Sequence, residues 1–188
     1  MQVLSGEGYA EKMTASTASD ITIRRARTRD VPGIMALIQP LVERRILLGK
    51  ERVVFYEAVQ EFVVAEDATG TLVGAGALHV MWEDLGEIRT LAVSDDLRGA
   101  GVGHLIIDRL EAQARELGLT RLFCLTFETG FFTRHGFEAI EERLVDAEVY
   151  AELVRSPDEG VAEFLDLARV KPNTLGNTRM LKRLNAAG

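Results

Sequence analysis

The chain has 188 residues, of which 47% are hydrophobic and 27% are charged, as is typical of one globular domain with a full core. Its formal net charge of -7 argues against general binding to nucleic acid or to anionic membranes, and a single cysteine excludes a disulfide framework. No apolar run approaches the roughly 20 residues of a membrane span. We predict a cytoplasmic protein with one domain over residues 21–186, after a disordered leader over residues 1–20.

The spacing of apolar residues predicts the elements of the first half of the chain. Residues 31–38 carry apolar side chains at helical spacing, and Pro40 should end or bend that helix. Gly74 and Gly76 lie within a long apolar run and predict close packing or a bulge in a strand. The other predicted elements are a strand over 21–25, a helix over 51–60, and strands over 61–66, 71–82 and 87–93.

The second half of the chain alternates helices and strands. An apolar strand over residues 121–126 follows a helix over 105–117, so the two flanking strands should lie parallel to each other. The remaining predicted elements are a short helix or loop over 127–135, a strand from 136, a helix over 146–155, a loop over 171–177 and a final strand over 178–184.

A glycine-rich loop joins the strand that ends at Val93 to the next helix. Its sequence is Arg98-Gly99-Ala100-Gly101-Val102-Gly103, which has few side chains and leads into a helix N-terminus. Such a helix start offers unpaired N–H groups and a partial positive charge to an anion. The loop lacks the Gly-Lys-Ser/Thr of a P-loop and the glycine spacing of a dinucleotide fingerprint. We therefore predict that it binds a phosphate or a pyrophosphate.

The pattern formed by Arg98, Gly101 and Gly103 resembles the acyl-CoA pyrophosphate loop of the GNAT acetyltransferase superfamily. This resemblance implies an α/β fold of the α+β type, in which a mixed central sheet splays after the fourth strand and is flanked by helices. The gap would admit the pantetheine arm of acetyl-CoA, with no metal required. The contacts that the resemblance implies for acetyl-CoA are Leu91, Ala92, Val93, Arg98, Gly99, Ala100, Gly101, Val102, Gly103, His104, Thr126, Phe131 and Phe132.

Other segments narrow the resemblance to amino-acid acetyltransferases. Residues 86–93, 103–118 and 122–126 are similar to the acetyltransferase domain of N-acetylglutamate synthases. Short single-domain enzymes of actinobacterial type are most similar, on segments 125–129, 161–166 and 170–173. The implied reaction transfers an acetyl group from acetyl-CoA to the α-amine of L-glutamate, for arginine biosynthesis, with L-glutamine as an alternative acceptor. The same resemblance makes a homodimer the expected assembly.

Glu87 is the predicted general base, because the resembling enzymes use a Glu at this strand position directly or through water. Burial beside a pocket can raise the pKa of such a carboxyl toward neutrality. An alternation of period two predicts one shared face for Glu87, Arg89, Leu91 and Val93. The alternative is that Glu87 only forms an ion pair with Arg89.

No general acid can be assigned from the sequence. Phe132 stands where many members of the superfamily carry a Tyr that protonates the leaving thiolate. His135 is more readily interpreted as a surface or capping residue, and Cys124 as a small buried side chain. A CoA thiol is acidic enough, with a pKa of about 8.5 by analogy with cysteine, to leave with little help.

The acceptor's carboxylates should be bound by cations or strong donors. The candidates are Arg45, Lys50, Arg89, Lys171, Asn173, Asn177 and Arg179. Longer synthases carry an Arg and a Lys where this chain has Gln39 and Asp84, so their acceptor site is not carried over intact. Two alternatives therefore stay open: a GNAT enzyme for another small amine, and a regulatory module that binds acyl-CoA without turnover.

Overall fold

The computed structural model describes residues 20–47, 49–141, 144–165 and 176–184. Seven strands in these residues form one sheet: β1 (Thr22–Arg25), β2 (Phe62–Glu66), β3 (Leu72–Val80), β4 (Leu85–Val93), β5 (Arg121–Thr126), β6 (Glu138–Ala139) and β7 (Thr178–Arg183). The helices are α1 (Val31–Glu43), α2 (Arg52–Glu57), α3 (Val102–Glu116), α4 (Thr129–Arg134), α5 (Ala147–Leu153) and α6 (Glu159–Phe164). No helix in the described residues is long and apolar enough to cross a membrane.

The sheet is mixed, with the strand order β1-β2-β3-β4-β5-β7-β6. Strands β1 to β4 pair antiparallel with their neighbours, β4 and β5 are parallel, and β7 pairs antiparallel with both β5 and β6. The predicted parallel arrangement of β4 and β5 is therefore confirmed, and α3 is the crossover between them. The insertion of β7 between β5 and β6 was not predicted.

Strands β4 and β5 separate shortly after they begin. Their pairing ends at Glu87 opposite Phe123, after the pairs formed by Leu85 with Arg121 and by Gly86 with Leu122. The rest of β4 faces β5 across a gap, so its backbone groups on that side have no strand partner in the described chain. The predicted splay after the fourth strand is thus confirmed.

A β-bulge in β4 changes which side chains share a face. Arg89 pairs with Ala77 and Ala92 pairs with Ala75, so Thr90 and Leu91 together oppose one residue of β3. Thr90 adopts a φ of 57°, in the left-handed region.

The single face predicted for Glu87, Arg89, Leu91 and Val93 is therefore wrong. Arg89 faces α2, whereas Leu91 and Val93 pack against the core cluster under α3. The bulge inserts one extra residue, and the alternation of period two cannot continue through it.

The helices cover both faces of the sheet. Helix α3 packs on one face so closely that a Cβ on Gly74 or on Gly76 would lie 2.8 Å from Ile106. This confirms the close packing predicted for the two glycines. Helix α1 covers the other face and continues through Pro40 to Glu43, so Pro40 does not end the helix. Pro40 lies on the exposed side, where water can satisfy the one carbonyl that loses its N–H partner.

Candidate active site

A cavity of about 410 Å³ opens where β4 and β5 separate. Its walls are the separated part of β4, the glycine-rich loop, the start of α3, the end of β5 and helix α4. With one exception, every residue predicted to contact acetyl-CoA lines this cleft. The exception is Ala100, whose N–H donates to the Leu97 carbonyl within the loop at 3.0 Å. Ala100 thus shapes the loop and does not face the cleft.

The glycine-rich loop presents unpaired backbone donors to the cleft. The N–H groups of Gly99, Gly101, Val102 and Gly103 have no acceptor within the described residues. Gly99 and Gly101 have φ angles of 84° and 90°, which an L side chain rarely adopts. A Cβ on Gly103 would lie 3.3 Å from the Phe131 ring. The loop therefore forms a cradle of N–H donors at a helix N-terminus, which suits a pyrophosphate.

The cradle makes a testable prediction for Gly101→Ala. We expect the Kd for CoA, measured by calorimetric titration, to rise about tenfold, equivalent to about 1.4 kcal/mol. The added Cβ disfavours the left-handed backbone at this residue by roughly 1–2 kcal/mol and turns the N–H groups away from the ligand. Gly118→Ala is the matched control, because Gly118 has a φ of 82° in open space at the other end of α3. Equal Kd values for the two variants would contradict a role of the loop in binding CoA.

Thr126 is the buried hydroxyl of the cleft wall at the end of β5. Its Oγ1 accepts the Glu128 N–H at 2.9 Å, which leaves the hydroxyl proton free to be donated into the cleft. Phe132 packs edge-to-face against Phe131 and Phe137 and has no proton to donate. The sequence predicts Thr126 only as a CoA contact; the structure adds that its buried hydroxyl lies in the cleft wall.

Two histidines lie together at the α3 side of the cleft. His104 lines the cleft, and its Nδ1 is 2.7 Å from Nε2 of His135, so one ring donates to the other. Burial and the neighbouring His104 lower the pKa of His135, although Asp108 lies 3.8 Å away. His135 does not line the cleft and is the C-cap residue of α4, which agrees with the capping interpretation, while its side chain is too buried for a surface residue.

Glu87 lies at the apex of the gap between β4 and β5 and is 3% exposed. Burial raises the pKa of its carboxyl to about 7. Its Oε2 has no hydrogen-bond partner in the described residues, and the nearest guanidinium nitrogen, Arg89 Nη1, is 3.8 Å away. The carboxyl can therefore gain and lose a proton near neutral pH, which a general base requires.

A second cavity of about 210 Å³ adjoins the cleft on the α2 side. Arg89 and Thr90 line both cavities, so the two meet beside the bulge in β4. The charged and titratable side chains that line the second cavity are Lys50, Glu57, Glu61, His79, Arg89 and Asp158. A cavity with both charge signs next to the cleft suits a small zwitterion.

Arg89 already has carboxylate partners in this cavity. Its Nη1 donates to both oxygens of Asp158 at 3.0 and 3.1 Å, and its Nη2 donates to Glu61 at 3.3 Å. Lys50, by contrast, forms no ion pair with any residue that the structure describes. Of these two predicted acceptor ligands, Lys50 is therefore the stronger candidate to bind a carboxylate of the acceptor.

His79 and Glu61 form a pair that sequence reasoning missed. His79 Nδ1 is 2.7 Å from Glu61 Oε1, and His79 lies directly opposite Glu87 in the pairing of β3 with β4. The register in which β3 pairs with β4 would have predicted that His79 lies beside Glu87.

Two predicted acceptor ligands line neither cavity. Arg45 is exposed in the turn after α1. Arg179 donates to the Phe164 carbonyl, and its guanidinium lies 5.9 Å from the ring centroids of Phe123 and Phe164, so it supports the packing of β7. Neither arginine is among the side chains that line the second cavity. Asn177 lines the cleft, whereas Lys171 and Asn173 lie outside the described residues.

The residues that differ from the longer synthases have local partners. Asp84 accepts two hydrogen bonds from Arg121, at 2.8 and 3.0 Å, and this contact lowers the pKa of the carboxyl. Gln39 donates to Glu43 one turn along α1. Cys124 is fully buried in β5, where burial raises the pKa of its thiol, so it is no nucleophile. Within the described ranges, no group of three or more potential ligands could hold a metal ion.

Comparisons with known proteins agree with this geometry. The model of the acetyltransferase (GNAT) family matches residues 39–137. The chain is 60% identical over 161 residues to an amino-acid acetyltransferase of Mycobacterium tuberculosis, covering 85% of this chain and 92% of the relative. The crystal structure of Rv2747 from M. tuberculosis, in complex with CoA and NLQ, is similar with a TM-score of 0.84 and 59% identity, covering 87% of this chain and 99% of that one.

A longer enzyme is similar over one part of its length. The structure of N-acetylglutamate synthase from Neisseria gonorrhoeae, complexed with coenzyme A and N-acetyl-glutamate, has a TM-score of 0.69 and 30% identity. The match covers 88% of this chain but 35% of the synthase.

Proposed function

The chain belongs to the GNAT acetyltransferase family and is an amino-acid acetyltransferase, and we propose that it transfers the acetyl group of acetyl-CoA to the α-amine of L-glutamate, with L-glutamine as the alternative acceptor. The observation that carries this proposal is the position of Glu87. The buried carboxyl lies where β4 and β5 separate, 3.8 Å from Arg89, a residue that lines both the cleft and the charged cavity.

The cleft fits acetyl-CoA, which supplies the acetyl group as a thioester. The unpaired N–H groups of the loop residues Gly99, Gly101 and Gly103 would bind the pyrophosphate. The open edge of β4, at Leu91 and Val93, would pair with the amides of the pantetheine arm. One of the N–H groups on this edge would also polarise the thioester carbonyl.

The second cavity fits the acceptor. Lys50 would bind a carboxylate of the amino acid. The three carboxylates of the cavity, Glu57, Glu61 and Asp158, outnumber its two cations, Lys50 and Arg89, and the excess of negative charge would attract the ammonium group. The amine must reach the thioester through the junction of the two cavities, beside Arg89 and Thr90. Holding both reactants at this junction aligns them for the transfer.

Two side chains would assist the transfer. Glu87 takes the proton that the ammonium must lose before its nitrogen can form the new N–C bond, through one water molecule, because the carboxyl itself lines neither cavity. The C–S bond of the thioester breaks as the amide forms. The sulfur leaves as a thiolate, and the Thr126 hydroxyl can donate a hydrogen bond to it where Phe132 offers no phenol.

The test is free-thiol release from acetyl-CoA with a panel of L-amino acids: glutamate, glutamine, aspartate and arginine. We expect kcat/KM for glutamate or glutamine to exceed that for aspartate and arginine by at least about tenfold, since one methylene is worth roughly 1–3 kcal/mol in a fitted site. Release without this preference would favour another small amine. Binding of acetyl-CoA with no release for any acceptor would favour a regulatory module.

The cellular location, the partners and the assembly of the protein are inferred from its cysteine content, its net charge and the family resemblance. A cytoplasmic location is supported by the single, free and buried Cys124, which is typical of proteins in a reducing compartment. A net charge of -7 speaks against nucleic acid and anionic membranes as partners. The homodimer stays a prediction that rests on the family resemblance.

A further inference from the structure

Arg89 lies between Glu87 and two other carboxylates, and it gives its hydrogen bonds to the other two. Nη1 is 3.0 and 3.1 Å from the oxygens of Asp158, and Nη2 is 3.3 Å from Glu61. The same Nη1 is 3.8 Å from Glu87 Oε2, which is beyond a hydrogen bond. The Arg89 guanidinium thus donates its hydrogen bonds to Asp158 and Glu61 and none to Glu87, the proposed base.

Asp158 accepts two hydrogen bonds from backbone N–H groups of α6. Its Oδ1 accepts the Val161 N–H at 3.1 Å, and its carbonyl accepts the Ala162 N–H at 3.2 Å. Val161, Ala162 and Phe164 are at most 2% exposed, and all but Ala162 belong to the core cluster that contains Phe123. Asp158 thus connects Arg89 to a helix whose buried side chains pack in the core.

The same segment covers Glu87. A Cβ on Gly160 would overlap Glu87 Oε2, so only a glycine allows α6 to approach the carboxyl this closely. A glycine also brings no side-chain donor to Glu87. The oxygen is therefore buried and without a hydrogen bond within the described residues.

We propose that Asp158, assisted by Glu61, is a positioning residue that holds the Arg89 guanidinium away from Glu87, so that the Glu87 carboxylate has no hydrogen bond to a cation and stays able to take up a proton. This inference rests on the proposed function, in which Glu87 is the base. It assigns to the segment before α6 a role in the reaction that the motif residues did not indicate.

The charges that face Glu87 predict what the loss of Asp158 does. Arg89, His79 and Lys50 lower the pKa of Glu87, whereas burial and Asp158 raise it. Removing the negative charge of Asp158 removes one of the interactions that raise the pKa of Glu87. It also frees Arg89 to bond to Glu87, which lowers the pKa further and occupies the oxygen that should accept the proton.

Asp158→Asn is the variant that tests this. The Asn Oδ1 can still accept the Val161 N–H, but the side chain loses its negative charge and has an NH2 donor in place of the oxygen that accepts from Arg89 at 3.0 Å, which weakens its hold on the guanidinium. We expect the acid limb of the kcat/KM profile to move down by about one pH unit and kcat to fall about tenfold. The Kd for CoA should stay unchanged, because Asp158 does not line the cleft. Glu61→Gln should move the limb in the same direction by a smaller amount.

Asp146→Asn is the matched control. Asp146 caps α5 by accepting the Val149 N–H at 2.9 Å, and it lines neither cavity. We expect its pH profile and kcat to equal those of the wild type. An unmoved limb in Asp158→Asn, or the same shift in Asp146→Asn, would overturn the positioning role.

A measurement without turnover separates this proposal from the proposed function. The carboxyl signal of Glu87 can be followed by NMR in protein labelled with ¹³C-glutamate, and the signal that Glu87→Gln removes identifies it. We expect its midpoint to lie near pH 7 in the wild type and lower in Asp158→Asn. If the wild type transfers no acetyl group, the proposed function is wrong, whatever the midpoint of Glu87 does in Asp158→Asn. An active wild type whose Glu87 midpoint does not change in Asp158→Asn would sink the positioning proposal alone.

Discussion

Glu87→Gln should lower kcat by a factor of about 10² to 10⁴, the usual contribution of a general base. The amide has the shape of the protonated carboxyl but cannot accept the proton of the ammonium group. Binding of CoA should persist, because Glu87 does not line the cleft. The measurements are steady-state kinetics with the preferred amino acid and calorimetric titration with CoA. Activity within tenfold of the wild type would show that Glu87 has only a structural role.

The matched control is Glu111→Gln. Glu111 is also a buried carboxyl, 6% exposed on α3, and it pairs with Lys182 and Arg115 outside both cavities. This variant should lose stability, because it leaves Lys182 without its ionic partner, yet it should keep its kcat. A similar loss of kcat in both variants would attribute the effect at Glu87 to general damage of the fold.

The pH dependence follows from the raised pKa of Glu87, about 7 in the folded protein. The base must be ionised to act, so kcat/KM should fall about tenfold for each pH unit below 7, and this limb should vanish in Glu87→Gln. Stability has the opposite dependence. The folded protein binds this proton more tightly than the unfolded chain, so the stabilisation is present below about pH 4.5 and is lost as the pH rises through 7. Glu87→Gln should therefore unfold at a higher temperature than the wild type at pH 8.

The second large effect is expected for Lys50→Met, which keeps the aliphatic length and removes the charge. The KM for the preferred amino acid should rise about 10- to 100-fold, since a hydrogen bond to a charged group contributes roughly 1.5–3 kcal/mol. The KM for acetyl-CoA should stay near that of the wild type, because Lys50 lines only the second cavity. Steady-state kinetics with each substrate varied in turn measure both values.

Comparing glutamate with glutamine shows which carboxylate Lys50 binds. If it binds the α-carboxylate, the KM rises for both amino acids; if it binds the side-chain carboxylate, the KM rises for glutamate alone. Arg52→Met is the control, because Arg52 is exposed at the start of α2 and lines neither cavity. An unchanged KM for both acceptors in Lys50→Met, or an equal rise in Arg52→Met, would contradict the assignment.

Local sequence patterns predicted the glycine-rich loop and the crossover, because the geometry of both depends on the backbone of neighbouring residues. The glycines of the 98–103 loop must adopt left-handed angles or accept a close contact, and both requirements are visible in their spacing before a helix. The crossover from β4 through α3 to β5 was readable for the same reason, because the periods of a strand and a helix are properties of neighbouring residues.

Longer-range packing accounts for the predictions that failed. The bulge at Thr90 arises where β4 lies against β3, and it moved Leu91 and Val93 to the face opposite Arg89. Arg179 looked like a free cation along the chain, but β7 inserts it beside Phe123 and Phe164. No local period carries this information, because it depends on which strand lies next to which.

The sequence by itself determined the fold class, the cleft for acetyl-CoA and the identity of Glu87 as the candidate base. The glycine-rich loop followed from the backbone preferences of a short segment, whereas the fold class, the cleft and the role of Glu87 followed from the resemblance of such segments to the GNAT superfamily. Only the tertiary structure decided which cation is available to the acceptor. Arg89 and Lys50 are equally charged in the sequence, but Asp158 and Glu61 come from distant segments and occupy Arg89. A charge is available for binding only where the fold has not already paired it.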